Sequence, residues 1–209
     1  IRHLEQYLGT AAFDSVMQKY YQQWQFQHPY PEDLQNIFEK YASKNCRWFF
    51  EEVLKSRQTN DYAFGNVKYK NGAYSIIIKN KGRLAVPFAL GAYKNNVLAD
   101  THWIEGFTGK KLISIQTEKV DRWKIDATGT LMDINRYNNG SKAHGILKKW
   151  KPLHPKLINI IEKPHKNEFG ILPTLGWNEH NGLLTGIVLY SNPLLARKFD
   201  YILMPLWSE

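Results

Sequence analysis

The chain reads as an α+β protein in several parts: an N-terminal helical segment, an antiparallel β-sandwich, and a β-hairpin tail. Three observations predict this. Apolar residues recur at helical spacing as far as about residue 55. From Val67 onward they alternate at period two between short turn signals, most regularly in Val86–Asn139. After the turn cluster Asn138-Asn139-Gly140-Ser141 the chain becomes lysine-rich and proline-punctuated, then strongly apolar again. These shifts divide the sequence into 1–61 (helical), 62–139 (sandwich) and 140–209 (basic connector and apolar β tail).

Each element has its own signature. Leu4, Tyr7 and Leu8 share one face of a first helix, and Gly9 ends it. Thr10 is placed to cap a second helix running to about Gln25, with Phe13, Val16, Met17, Tyr20, Tyr21 and Trp24 at helical spacing. Pro29 and Pro31 break it. Pro31 suits the first turn of a third helix, where Glu32 and Asp33 meet its positive end. Leu34, Ile37, Phe38 and Tyr41 form that helix's apolar face, and a fourth helix is expected around Arg47–Lys55. These aromatics read as core.

Asn71-Gly72 between alternating runs is a tight-hairpin signal, because both positions of the turn need positive φ. Asn80-Lys81-Gly82 and Lys94-Asn95-Asn96 mark further turns. Leu84, Val86, Phe88 and Leu90 alternate in the strand between them, with Pro87 marking an edge or bulge. Val97–Phe107, Leu112–Ile115 and Val120–Ile125 complete about seven strands ending near Ile134. In the connector, Leu157–Ile161 reads as a short buried helix. Ile171–Trp177, Leu183–Tyr190 and Phe199–Leu206 are apolar runs with aromatic ends, which fit either the first strands of a larger β-barrel or a soluble hairpin packed on the sandwich.

The chain has 209 residues and a formal charge of +9. Residues 1–61 carry 7 basic and 8 acidic side chains, 62–135 carry 11 and 6, and 136–209 carry 10 and 5, so the excess lies in the sandwich and tail. A basic surface attracts anions, but lysines beside turns also protect strand edges. Lys68-Tyr69-Lys70 and Arg122-Trp123-Lys124 have the texture of a nucleic-acid surface. In a strand, however, alternation sends the ring inward and the lysines outward, so no nucleic acid is expected. Cys46 is the sole cysteine, which excludes an internal disulfide, and its aromatic neighbours mark it as a buried filler. No signal peptide and no long apolar run is present. Ile1 falls inside a helical pattern and the last residues follow an apolar run, so both ends read as interior to a longer polypeptide.

No catalytic set is found. The seven histidines (His3, His28, His102, His144, His154, His165 and His180) include no H-E-x-x-H. There is no G-x-S-x-G and no phosphate loop. Gly106-Phe107-Thr108-Gly109-Lys110 lacks the spacing of such a loop and reads as a hairpin turn. Asp126 and Asp133 beside Thr128-Gly129 are expected to bond their own backbone rather than a cation. His28 reads as a helix-end hydrogen-bonding residue, and Glu105 and Glu118 as unpaired. Catalytic, metal-binding and cofactor-binding residues are therefore all expected to be none.

The opening stretch, LEQYLGTAAFDSVMQKYYQQWQFQHPYPEDLQNIFEK, resembles the segment closing the catalytic domain of aminopeptidase N-like zinc metallopeptidases, the gluzincins. The matching positions are Leu4, Leu8, Gly9, Phe13, Met17, Tyr20 or Tyr21, Trp24, Phe26, His28, Pro29 and Asp33. Trp48-Phe49-Phe50 and Asp61-Tyr62 resemble that family's junction into its β-sandwich. Trp123-Lys124-Ile125-Asp126 and Leu131-Met132-Asp133-Ile134-Asn135 resemble the sandwich's end, with Ala127 where proline is usual. The tail, through Leu175-Gly176-Trp177-Asn178 and Phe199–Pro205, is similar to a bacterial branch whose sandwich leads into a membrane-barrel-like region. The resemblance implies a non-catalytic, post-catalytic region of a peptidase. Its zinc and catalytic residues would lie upstream of Ile1, and its first partner would be that catalytic domain. It further implies membrane contact through the tail, and a bacterial periplasmic or outer-membrane location. A basic sandwich module for an anionic partner, or a membrane anchor region, is the alternative.

Overall fold

The computed structural model describes residues 1–159, 166–193 and 199–208. The protein is α+β, and it divides into two compact units, Ile1–Lys149 and Trp150–Glu209.

In the first unit, α1 (Arg2–Leu8), α2 (Thr10–Trp24) and α3 (Pro31–Tyr41) lie close to the expected helices. Thr10 is the first residue of α2 rather than its cap. Gly9 holds that position at φ 91, and the Thr10 hydroxyl instead donates to Glu5 Oε1. A backbone turn at positive φ, available to glycine, does the work a capping side chain would otherwise do. The expected fourth helix is a π-helical turn, Trp48–Val53, in which the Leu54 N–H reaches Phe49 O. The wider turn buries three consecutive aromatics, Trp48, Phe49 and Phe50. A regular α-helix would spread them around about 200° and expose one.

Seven strands follow. A three-stranded sheet has the order β1-β2-β5, from Tyr62–Lys70, Ala73–Asn80 and Gly109–Gln116. A four-stranded sheet has the order β4-β3-β6-β7, from Val97–Ile104, Phe88–Lys94, Arg122–Ile125 and Gly140–Lys142. Asn71 and Gly72 take φ 50 and 78 and close the β1–β2 hairpin, and Asn95 and Asn96 (φ 52 and 63) close β3–β4. The inner faces meet in one core. Tyr74 of β2 and Trp123 of β6 are both fully buried, with ring centroids 5.2 Å apart. The Tyr74 hydroxyl accepts the Val120 N–H at 3.0 Å, which ties the sheets together.

Three sequence expectations are corrected here. Leu84 and Val86 are buried but precede the strand, which begins at Phe88. The Arg83 and Leu84 N–H groups go to Thr59 O and Pro87 has none, so the segment is spent on a crossover between sheets. Gly106–Lys110 is likewise no hairpin turn, because β4 and β5 belong to different sheets. A Cβ on Gly106 would stand 2.2 Å from Ala85 O, so only glycine lets the two crossovers pass. The sandwich also does not end near Ile134. β7 pairs with β6, and the Ile125 N–H donates to Asn139 O.

The described strands of the second unit form one sheet, in the order β11-β10-β9-β8, with β12 also on β10. β9 (Asn167–Asn178) and β10 (Gly182–Tyr190) form a long hairpin, and β8 (Leu153–Lys156) runs parallel to β9. The third apolar run is split by Pro205 into β11 (Ile202–Leu203) and β12 (Leu206–Ser208). The expected helix at 157–161 falls partly outside the described residues; Leu157 and Ile158 are exposed rather than buried. His165 also lies outside them. Among the described residues, no helix is long and apolar enough to cross a membrane, which says nothing of strands.

Candidate functional site

The most elaborate side-chain constellation joins α1 to the sandwich. α1 presents Leu4, Tyr7, Leu8 and His3 on its buried side, as the helical period dictates. His3 Nε2 lies 2.7 Å from Pro87 O. A carbonyl only accepts, so Nε2 carries the proton. Nδ1 of the neutral ring then accepts from the Thr130 hydroxyl at 2.9 Å. Burial lowers the His3 pKa and so favours the neutral ring, outweighing the Pro87 bond, which raises it.

The ring lies 5.7 Å from both Trp48 and Trp103. Tyr7 packs edge-on to the same two tryptophans, and its hydroxyl donates to Glu105 Oε1 at 2.8 Å. Burial first, then Glu105, pushes the Tyr7 pKa up. Lys44 caps the group by donating to Tyr7 O at 2.5 Å and standing over its ring. Glu105 is thus paired, and exposed Glu118 pairs with Lys94 at 3.5 Å, contrary to expectation. Nothing in the spacing of the sequence assigns His3 or Thr130 these roles. Proline's carbonyl as an acceptor across 84 residues leaves no local signal.

The two aspartates near Thr128-Gly129 bond backbone, as expected. Asp126 Oδ1 accepts the Leu131 N–H at 3.0 Å. Asp133 Oδ2 accepts the Tyr62 N–H at 2.9 Å and Oδ1 that of Asn135 at 2.8 Å. Burial nevertheless raises the Asp133 pKa, outweighing both bonds. Cys46 is buried, its thiol pushed up to about 11 by burial, which leaves it unreactive at neutral pH. His28 is exposed between α2 and α3 and makes no side-chain hydrogen bond among the described residues. Trp123 points inward, fully buried, and Tyr69 packs against the core, so neither ring faces a base.

Among the described residues, no group of three His, Cys, Asp or Glu is placed to hold a metal. The neutral His3 has its two nitrogens committed to the Pro87 carbonyl and the Thr130 hydroxyl. The residues present do not fit a zinc centre, and the constellation can do mechanical work: it fixes a helix to a sheet. No protein-family model matches the chain, and neither does any curated protein or solved structure in the comparisons made.

Proposed function

We propose that this chain is a non-catalytic region of a zinc aminopeptidase-like protein, in which helices and sandwich together brace a peptide-cutting domain and link it to a further region. The observation that carries this is the joint at α1. A segment resembling the end of a catalytic domain is fixed to the sandwich by His3, Tyr7, Trp48 and Trp103. Of the residues that carry the resemblance, Leu4, Leu8, Phe13 and Trp48–Phe50 are buried and Asp133 holds the Tyr62 backbone, while Phe26, His28 and Pro29 are exposed. A brace needs this kind of dry, aromatic, hydrogen-bonded contact, because such contacts transmit displacement instead of absorbing it.

The test compares this chain with the full-length gene product. The full-length protein is expected to hold about one zinc and to cleave aminoacyl anilides, since gluzincin sites bind one catalytic zinc. This chain alone is expected to do neither. A full-length product without zinc or cleavage, or a chain that cleaves by itself, overturns the proposal.

A second reading, membrane contact through the tail, has its own observation. One face of the β9–β10 sheet carries Leu175, Trp177, Leu183, Leu203 and Trp207, all exposed. Removing residues 167–209 is expected to end binding to vesicles of net-neutral phosphatidylcholine, which offer lysine side chains no net anion, and to leave unfolding of β1–β7 unchanged. Binding that survives the deletion contradicts it.

A further inference from the structure

The outer face of the β1-β2-β5 sheet holds an open cavity of about 490 Å³. Register and alternation build it. Ala63, Ile77 and Lys79 point outward from β1 and β2, and Lys110 points outward from β5. Ala63 and Ile77 form an apolar floor, and Lys79, Lys81, Lys110 and Lys149 line the cavity around it. A β-bulge between Phe64 and Asn66 brings Gly65 against Ile77, where a Cβ would stand 2.8 Å from Ile77 Cγ2. The chain returning through Asn138 and Gly140 forms a wall.

The charge here is one-sided. β1, β2 and β5 contain five lysines and no acidic residue. None of the four lining ammonium groups pairs with a carboxylate of the described residues. The Asp61 carboxylate accepts from Asn138 Nδ2 at 2.5 Å, and the Asp61 carbonyl accepts the Lys81 N–H at 2.8 Å. Lys79 and Lys110 are moreover direct cross-strand partners. Like charges in that position destabilise a sheet. A fold that merely needed solubility would intersperse acids among them.

We propose that this cavity binds an anion carrying several phosphate groups, the lysines taking the phosphates and the Ala63–Ile77 floor the ligand's apolar part. The volume is that of a small-molecule site. Lysine ammonium groups are point charges suited to phosphate oxygens, and Asn138 adds a neutral polar group. An acidic peptide adding as a strand is disfavoured. The bulge distorts β1 at Gly65, and Lys148 Nζ already donates to Val67 O on that strand.

The probes are inorganic tripolyphosphate and vesicles of phosphatidic acid, titrated against the full chain by calorimetry and sedimentation. Lys79→Gln/Lys110→Gln is expected to weaken binding at least about ten-fold, and affinity to fall with added salt. Lys19→Gln/Lys40→Gln, the same charge change on the helices, is expected to alter it less than about two-fold. Because the double variant removes a like-charge pair, its melting temperature should rise by ~1–3 °C, which separates lost binding from lost folding. Lysine-dependent binding of tripolyphosphate identifies a free polyphosphate, and lysine-dependent binding of vesicles alone identifies a lipid headgroup. Neither probe binding, both variants weakening it equally, or polyglutamate binding more tightly than tripolyphosphate overturns the proposal.

Discussion

Trp123 and Trp177 sit on strands with similar apolar alternation, yet the first is fully buried and the second is 74% exposed. The difference is the layer above each. In residues 1–149 two sheets turn their apolar faces toward one another, and α1 with the π-helical turn closes one end. In residues 150–209 the described strands make a single sheet. Alternation specifies which face of a strand is apolar; it does not specify what covers that face. The first unit contains its own cover, and the second presents Leu175, Trp177, Leu183, Leu203 and Trp207 outward. Exposed apolar area of that kind is what the membrane-contact proposal rests on.

The largest test of this contrast is a matched pair. Trp123→Ala empties a filled site and is expected to cost about 3–5 kcal/mol. Trp177→Ala is expected to change stability by no more than about 0.5 kcal/mol. Urea unfolding followed by near-ultraviolet circular dichroism measures both, and equal losses would erase the distinction. Next comes the ion pair that anchors the second sheet. Lys156 Nζ lies 2.8 Å from Glu168 Oε2, and the Glu168 side chain is fully buried. Lys156→Met should destabilise the second unit by about 1–3 kcal/mol, because the buried carboxylate loses one charged partner. The loss should appear in the amide exchange of β8–β10 and leave that of β1–β7 unchanged.

Gly186→Ala is comparable in size. The added Cβ would stand 2.1 Å from Pro205 O, against the backbone beside β12. It should cost about 1–3 kcal/mol by displacing the β12 pairing, read as faster exchange at Leu206–Ser208. The smallest effect is the pH response of the α1 joint. Folding lowers the His3 pKa, so below the ordinary imidazole value of about 6.5 the unfolded chain binds more protons than the folded one. The contribution of His3 is therefore complete above that value and is lost as pH falls. Asp133, raised by burial, acts in the opposite direction at lower pH. Between pH 7 and 5.5 the urea midpoint should drop in the unaltered chain and drop less in His3→Gln; parallel curves would remove His3 from the joint's pH dependence.

Much of the fold was legible because its signals are local. Asn71-Gly72 and Asn95-Asn96 sit at the positive-φ turns their types favour, and Pro31 opens α3. Gly9 ends α1, and Trp123 points inward as strand parity requires. What was misread depends on distant partners. The Trp48–Phe50 run looks helical, and only its packing against Tyr7 and Phe38 explains a π turn. The Gly106–Lys110 turn looks like a hairpin, and only Ala85 passing beneath Gly106 explains a crossover. The α1 joint follows the same rule. His3 finds Pro87 and Thr130, and Tyr7 finds Glu105, over separations of 84 to 127 residues. The lysine cavity was visible in composition as basic excess, but its shape needed the β1–β2–β5 register.

If helices and sandwich act as one brace, they must unfold as one. Native-state hydrogen exchange tests this directly, because it reports the opening free energy of each segment separately. The amides of α1 that bond within the helix, such as Glu5 to Ile1 O and Gly9 to Glu5 O, are expected to exchange with the same free energy and urea dependence as those of β3. Exchange of α1 through a smaller opening, with β3 still protected, would show a helix resting on the sandwich and would contradict the brace.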